Sequence, residues 1–284
     1  MSHASSYPTA SDAAASAGAP LLELEHVTKR FGGLPAVEDL SFAVRQGEVL
    51  GMIGPNGAGK STAISLIGGA LPPTSGAIRF AGREITRFAP HRRAQLGIAR
   101  TFQITQTFAQ LDIRENVIVG ALFGGHARGR AAAARHADAV LERVGLAAKA
   151  RLKGDELTVA DRKRLEMARA LATNPQLLLL DEVMAGLTPR EVSAAVDLIR
   201  EINRDGVTVV VVEHVMRAIT GVSDRILVLH HGRKIAEDVP DAVLADPSVI
   251  EAYLGERYAR QRAAGKGSAT EPPPPGDAWK EGLV

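Results

Sequence analysis

The octet Gly54-Pro55-Asn56-Gly57-Ala58-Gly59-Lys60-Ser61 decides the architecture. It matches the pattern G-x-x-x-x-G-K-[S/T] in the context that pattern requires: the apolar run Val49 to Ile53 reads as a strand before it, and Lys60 to Gly68 as a helix after it. Glycines here let the backbone turn tightly and present successive N–H groups to phosphate oxygens without Cβ atoms in the way. The N-terminus of the following helix adds its dipole and its unbonded donors. Lys60 can reach β and γ phosphates as a point charge, the Ser61 hydroxyl is placed to ligate Mg²⁺, and the cradle extends to Thr62. A nucleoside triphosphate is the implied ligand.

Outward from the octet, such a loop predicts a carboxylate at the end of a neighbouring buried strand. Leu177-Leu178-Leu179-Leu180-Asp181-Glu182 supplies two. Four leucines make a strand covered on both faces, and the acids emerge at its carboxyl end, where ligands of open α/β sheets bind. Asp181 is assigned to Mg²⁺ through its water shell, and Glu182 to polarising a water, a role worth roughly 10² to 10⁴ in rate. Alone, such a run is an ordinary strand end; beside a phosphate loop it reads as chemistry.

Val207 to Val212 and Ile226 to Leu229 are further continuous apolar runs. Ala160 to Ala172 and Pro189 to Asn203 read as helices, the latter opening on Thr188 as N-cap and Pro189 in the first turn. Strands alternating with helices predict a doubly wound α/β core. Leu22 to Val27 and Ser41 to Arg45 alternate instead, as half-buried antiparallel strands do, and Asp112 to Ala150 is helical and alanine-rich, which predicts a helical insertion.

Composition narrows the classes. The chain has 284 residues, Lys+Arg 34 against Asp+Glu 32, a formal charge of +2, 45% hydrophobic residues and no cysteine. That length suffices for a full core, and the balance of charge argues against a nucleic-acid partner and against an acidic disordered protein. Disulfides and thiolate metal sites are excluded. The longest apolar runs fall far short of the roughly 18 to 20 residues of a membrane span. The Ala/Ser-rich residues 1–20 lack the regions of a secretory signal; they and 259–284, with the run Pro272 to Pro275, are expected to be flexible tails. His230-His231 read as a turn rather than a metal site, since neighbours on a strand face opposite ways.

These residues together resemble the ATP-binding subunit of an ABC transporter, from about Leu21 to Gly255. The resemblance implies an α/β P-loop NTPase cassette over 21–258, with a parallel-sheet core, an N-terminal antiparallel β subdomain and an α-helical subdomain inserted at about 104–172. It implies ATP hydrolysis with Mg²⁺. It assigns Phe31 to adenine stacking, Gln103 to Mg²⁺ and the water, and His214, after Val209 to Val212, to the γ-phosphate. As bare residues these would read as a core aromatic, a polar loop position and a strand cap.

Two segments depart from the family. The usual Leu-Ser-Gly-Gly-Gln signature appears as Leu157-Thr158-Val159-Ala160-Asp161. Thr158 keeps a hydroxyl for phosphate, while Val159 and Ala160 add Cβ atoms and Asp161 adds charge. Thr188 stands where the family more often has aspartate. Either the site completed by this signature hydrolyses slowly beside a better one, or the altered residues are this subgroup's version.

Leu180 to Leu187, Val211 to Met216 and Glu251 to Gly255 most resemble the ATPases of branched-chain and hydrophobic amino acid uptake. That subgroup implies integral membrane permease subunits, a second ATPase subunit in a homo- or heterodimer, a periplasmic solute-binding protein acting indirectly, and a place at the cytoplasmic face of the inner membrane. Phe108 and Ile113 to Val119 are candidates to receive the membrane subunit, or internal packing of the insertion. The alternatives are an importer of urea, amides or aromatic acids, a soluble ABC ATPase outside transport, and a nucleotide-binding regulator. The second lacks its usual second phosphate loop or coiled-coil arms.

Overall fold

The computed structural model describes residues 19–101, 108, 110–124 and 129–253. In chain order the strands are β1 (Pro20–Phe31), β2 (Leu34–Arg45), β3 (Val49–Ile53), β4 (Ser75–Phe80), β5 (Arg83–Glu84), β6 (Ile98–Arg100), β7 (Leu177–Asp181), β8 (Thr208–Val212), β9 (Arg225–His230) and β10 (Arg233–Asp238). The helices are α1 (Lys60–Ile67), α2 (Pro90–Gln95), α3 (Ile113–Phe123), α4 (Arg130–Arg143), α5 (Val159–Leu171), α6 (Pro189–Arg204), α7 (Met216–Val222) and α8 (Pro240–Ala245).

An antiparallel sheet of order β2-β1-β4-β5 lies beside a six-stranded sheet of order β10-β9-β3-β8-β7-β6. In the latter, β9, β3, β8, β7 and β6 run parallel, and β10 closes one edge antiparallel. Every residue of β3, β7 and β8 is buried. Alternate residues feed two apolar clusters, one on each face: Val49, Leu178, Leu180, Val209 and Val211 pack with Ile199 of α6 and Ile219 of α7. Leu50, Leu177, Leu179, Val210 and Val212 pack with Ile64 of α1 and with Leu22 and Val44 of the antiparallel sheet. That two-sided burial is why these strands are continuous apolar runs instead of alternating ones.

The two N-terminal strands are longer than the alternation predicted, twelve residues each. The register shifts between Leu24 and Val27 and between Val27 and Lys29, and His26 and Asp39 take positive φ, so the period of two breaks there. The short strands β4, β5, β6 and β10 were not read from the sequence.

The predicted helical insertion is formed by α3, α4 and α5, with short 3₁₀ turns at Ala147–Lys149 and Gly154–Glu156. Asp112 and Glu115 form a capping box at the start of α3, and Arg114 grips Asp138 of α4 through contacts of 2.5 and 2.8 Å. Leu165 and Ala168 of α5 share a cluster with Leu178 of β7, so this layer is packed directly on the core sheet.

Arg93, 1% exposed, donates to the carbonyls of Leu66 and Ile67 at 2.7 Å and to those of Phe88 and Thr86 at 3.0 Å. It thereby caps the C-terminus of α1, where a cation is favoured. Burial pushes this guanidinium down to about 10.

Candidate nucleotide-binding site

The phosphate loop joins β3 to α1, and its backbone explains its glycines. Gly54 has φ 150° and Gly59 φ 103°. A Cβ at Gly54 would lie 2.1 Å from the Leu229 carbonyl oxygen, and one at Gly59 2.5 Å from that of Ala36. Both positions therefore demand glycine on conformational and steric grounds. Lys60 is 5% exposed and donates to the Gly54 and Pro55 carbonyls at 2.6 and 3.0 Å, so its ammonium lies within the loop. A cavity of about 190 Å³ is lined by residues Asn56 to Thr62 together with Ala36, Glu182 and His214. The loop residues and two of the three predicted catalytic side chains thus meet in one place.

Asp181 closes β7, and Glu182 follows at φ 52°. Glu182 Oε1 lies 2.6 Å from His214 Nε2, which arrives from the end of β8, the next strand in the sheet. Burial pushes the Asp181 carboxyl up, against the opposing pull of Arg100, whose Nη2 donates to Asp181 Oδ2 at 3.1 Å. Arg100 Nη1 also donates to the Ser65 hydroxyl, which donates in turn to the Ser61 carbonyl at 2.7 Å. Asp181 is in this way tied to the helix that carries Ser61. Its other oxygen, Oδ1, is buried without a hydrogen-bond partner. A buried carboxylate oxygen with an open coordination position, on a residue tied to the helix that carries the exposed Ser61, fits a hard divalent cation. Gln103, the remaining predicted ligand, lies outside the described residues.

Phe31 ends β1 with 51% of its surface exposed, and Lys29 Nζ stands 5.2 Å from its ring centroid. It is therefore available for stacking, in contrast to the core reading of a lone strand-end aromatic. The β1–β2 hairpin is fastened near the loop: Glu38 N donates to the Gly232 carbonyl, and Gly232 N donates to that of Ala58.

The altered signature has a definite geometry. Thr158 is the N-cap of α5; its hydroxyl accepts from Asp161 N at 3.2 Å and donates to Asp161 Oδ2 at 2.9 Å. Burial opposes the Asp161 charge, but the Lys149 ammonium at 2.5 Å and the Thr158 hydroxyl hold its carboxyl below the usual range. The added charge is thus compensated inside this chain, while Val159 projects with 56% exposure. Thr188 is the N-cap of α6, as predicted, in a capping box with Glu191.

The pattern of the ABC transporter family matches residues 37–185, and that of a branched-chain amino acid ATP-binding cassette transporter matches residues 233–259. The high-affinity branched-chain amino acid transport ATP-binding proteins LivG of Salmonella typhimurium and BraF of Pseudomonas aeruginosa are 37% and 38% identical over 251 residues, 84% of this chain and 98% of each relative. The chain belongs to the ABC transporter family. Among solved ABC cassettes, the ADP conformation of MJ1267 aligns with a TM-score of 0.76 at 30% identity, covering 84% of this chain and 100% of that one. The dimeric post-hydrolysis state of MJ0796, bound to ADP and Pi, aligns with a TM-score of 0.71 at 27% identity, covering 77% and 98%. The cassette is an ATP-binding, ATP-hydrolysing enzyme of the kind that dimerises and works with membrane subunits. Among the described residues, no helix is long and apolar enough to cross a membrane.

Some predicted contacts of this ABC chain fall elsewhere. Ile113, Val117 and Ile118 are buried within the helical layer, whereas Val119 and the 78% exposed Phe123 border a groove of about 390 Å³ with Pro90, Ala94 and Arg169. Phe108 is 45% exposed, with the Arg169 guanidinium 4.9 Å from its ring centroid. His230 ends β9 and His231 opens the turn that follows; their rings lie 4.0 Å apart because His231, at φ 48°, has already left the strand and its alternation. Among the described residues, no cluster of His, Asp or Glu is arranged to hold a metal ion on its own. The sequence reading missed Arg100 and Arg93, whose partners lie far along the chain.

Proposed function

We propose that this chain is the ATP-hydrolysing subunit of an importer for branched-chain or other hydrophobic amino acids. It works at the cytoplasmic face of the inner membrane, paired with itself or a second ATPase subunit. Integral membrane permease subunits carry the solute, delivered to them by a periplasmic binding protein. The match of residues 233–259 to the branched-chain pattern carries this reading, because that segment is specific to the subgroup whereas the phosphate loop is common to all cassettes. The apolar groove bordered by Val119 and Phe123 offers the membrane subunit a surface that neither layer alone would supply.

In the site, backbone N–H groups of Gly54 and of Asn56 to Thr62 and the Lys60 ammonium hold the phosphates, and Phe31 stacks on adenine. Ser61, Asp181 and Gln103 would hold Mg²⁺, which when bound would offset the charge that spreads over the phosphate oxygens. Glu182 accepts the proton of the attacking water and orients it, held in place by His214, which also faces the γ-phosphate. The Thr158 end of α5 faces the partner cassette.

Uptake of labelled leucine in cells that depend on this chain tests the assignment. Lys60→Ala should abolish uptake while leaving the chain associated with its membrane subunits. Undiminished leucine uptake in cells lacking the chain, together with lost uptake of urea or an aromatic acid, would replace the solute.

A further inference from the structure

The backbone at Glu182 has φ 52°, a left-handed conformation that few non-glycine residues adopt and that persists only where the surroundings impose it. Three contacts impose it here. Glu182 N donates to the Val212 carbonyl at 2.9 Å, as an extension of the β7–β8 ladder. Lys163 Nζ, from the first turns of α5, donates to the Glu182 carbonyl at 3.2 Å. Met184 N, two residues on, donates to Glu213 Oε1 at 2.7 Å.

Neither Lys163 nor Glu213 has a role in the reaction described above. Glu213 is 1% exposed at the end of β8, directly before His214. A carboxylate is costly to bury, and its Oε2 has no hydrogen-bond partner, so the residue is not there for packing alone. The two side chains grip the main chain at successive points, Lys163 at the Glu182 carbonyl and Glu213 at the Met184 N–H. One belongs to the helical layer and the other to the core sheet.

We propose that Lys163 and Glu213 are positioning residues for Glu182: they hold its own carbonyl and the Met184 N–H two residues on, while β8 holds its N–H, and so make the aim of its carboxylate depend on the seating of α5 against the sheet. This rests on the reading of Glu182 as the group that orients water. The clamp acts on a backbone carbonyl and a backbone N–H, so it can alter turnover without altering the phosphate cradle. It also gives the helical layer a direct mechanical hold on hydrolysis, through one ammonium.

The test uses the full-length chain, with phosphate release measured across ATP concentrations and affinity measured with a fluorescent ATP. Lys163→Met and Glu213→Leu should lower kcat by about tenfold or more, the scale of one hydrogen bond to a charged group, with KM and nucleotide affinity within about twofold of wild type. Lys163→Arg and Glu213→Gln keep a donor and an acceptor respectively, and should recover at least about half of the turnover. Lys163 is only partly buried, so Lys163→Met remains informative if Glu213→Leu does not fold. Wild-type turnover in Lys163→Met, or a loss that the conservative variants share in full, overturns the proposal. Glu182→Gln runs alongside: if it still hydrolyses at the wild-type rate, the catalytic reading of Glu182 falls and the clamp with it. If it is inactive while Lys163→Met is unaffected, the clamp alone is refuted.

Discussion

His214 Nε2 lies 2.6 Å from Glu182 Oε1, so side chains from the ends of two adjacent parallel strands share one contact at the mouth of the phosphate cradle. A contact of that length fixes the carboxylate's direction as well as its position. The chemistry assigned to Glu182 requires both.

Replacing Glu182 with glutamine keeps the size and one acceptor of the side chain but removes its basicity. Turnover should fall by roughly 10² to 10⁴, while ATP affinity changes by less than about threefold. Single-turnover phosphate release and equilibrium ATP binding separate the two quantities. A parallel fall in both would indicate a binding role.

Arg93 satisfies four carbonyls from inside the protein. Arg93→Met fills similar space and leaves these oxygens unpaired, two of them at the end of α1. Stability should drop by about 2 to 4 kcal/mol, less than four lost bonds would suggest because the buried cation's desolvation is also relieved. Urea unfolding measures it, and a change below about 0.5 kcal/mol would contradict the capping role.

Burial pushes the Glu213 carboxyl from its ordinary 4.5 up to about 7, against the opposing backbone donors Met184 N and His214 N. Between those two values the folded chain keeps a proton that the unfolded chain releases. Stability from this group is therefore fully present below about pH 4.5 and is lost as pH rises through about 7. Glu213→Gln does not titrate, so it should gain on wild type across that window by an amount on the order of 3 kcal/mol. Urea midpoints of the two proteins at about pH 5 and pH 7.5 provide the comparison, and an unchanged gap between them would rule the titration out.

The legible parts of this molecule are those where one local stretch carries the whole constraint. Gly54 to Ser61 needs no distant partner to be recognised, and Leu177 to Leu180 signals two-sided burial in four letters. Thr188 announces its helix because Pro189 and Glu191 stand beside it. What stayed hidden depends on pairings across the fold. Arg93 reads as one basic residue in His91-Arg92-Arg93 until α1 ends against it. The role of Lys163 is invisible between Arg162 and Arg164, since only packing of α5 on the sheet selects which of the three meets Glu182. The Asp161 charge looked disruptive in sequence because Lys149, twelve residues earlier, gave no sign that it would neutralise it. The grooved surface at Phe123 likewise arises only when two layers meet.

Gly232 is bonded to the phosphate loop on one side and to the β1–β2 hairpin on the other, its N–H to Ala58 and its carbonyl to Glu38. The stretch matching the branched-chain pattern begins at the very next residue, Arg233. Anyone building chimaeras between cassettes would be tempted to join the parts at that border. Such a junction would cut a hairpin whose turn is sewn to the nucleotide loop, and failure would look like loss of ATP binding. A splice beyond Asp238, where β10 has ended, carries the hairpin over intact.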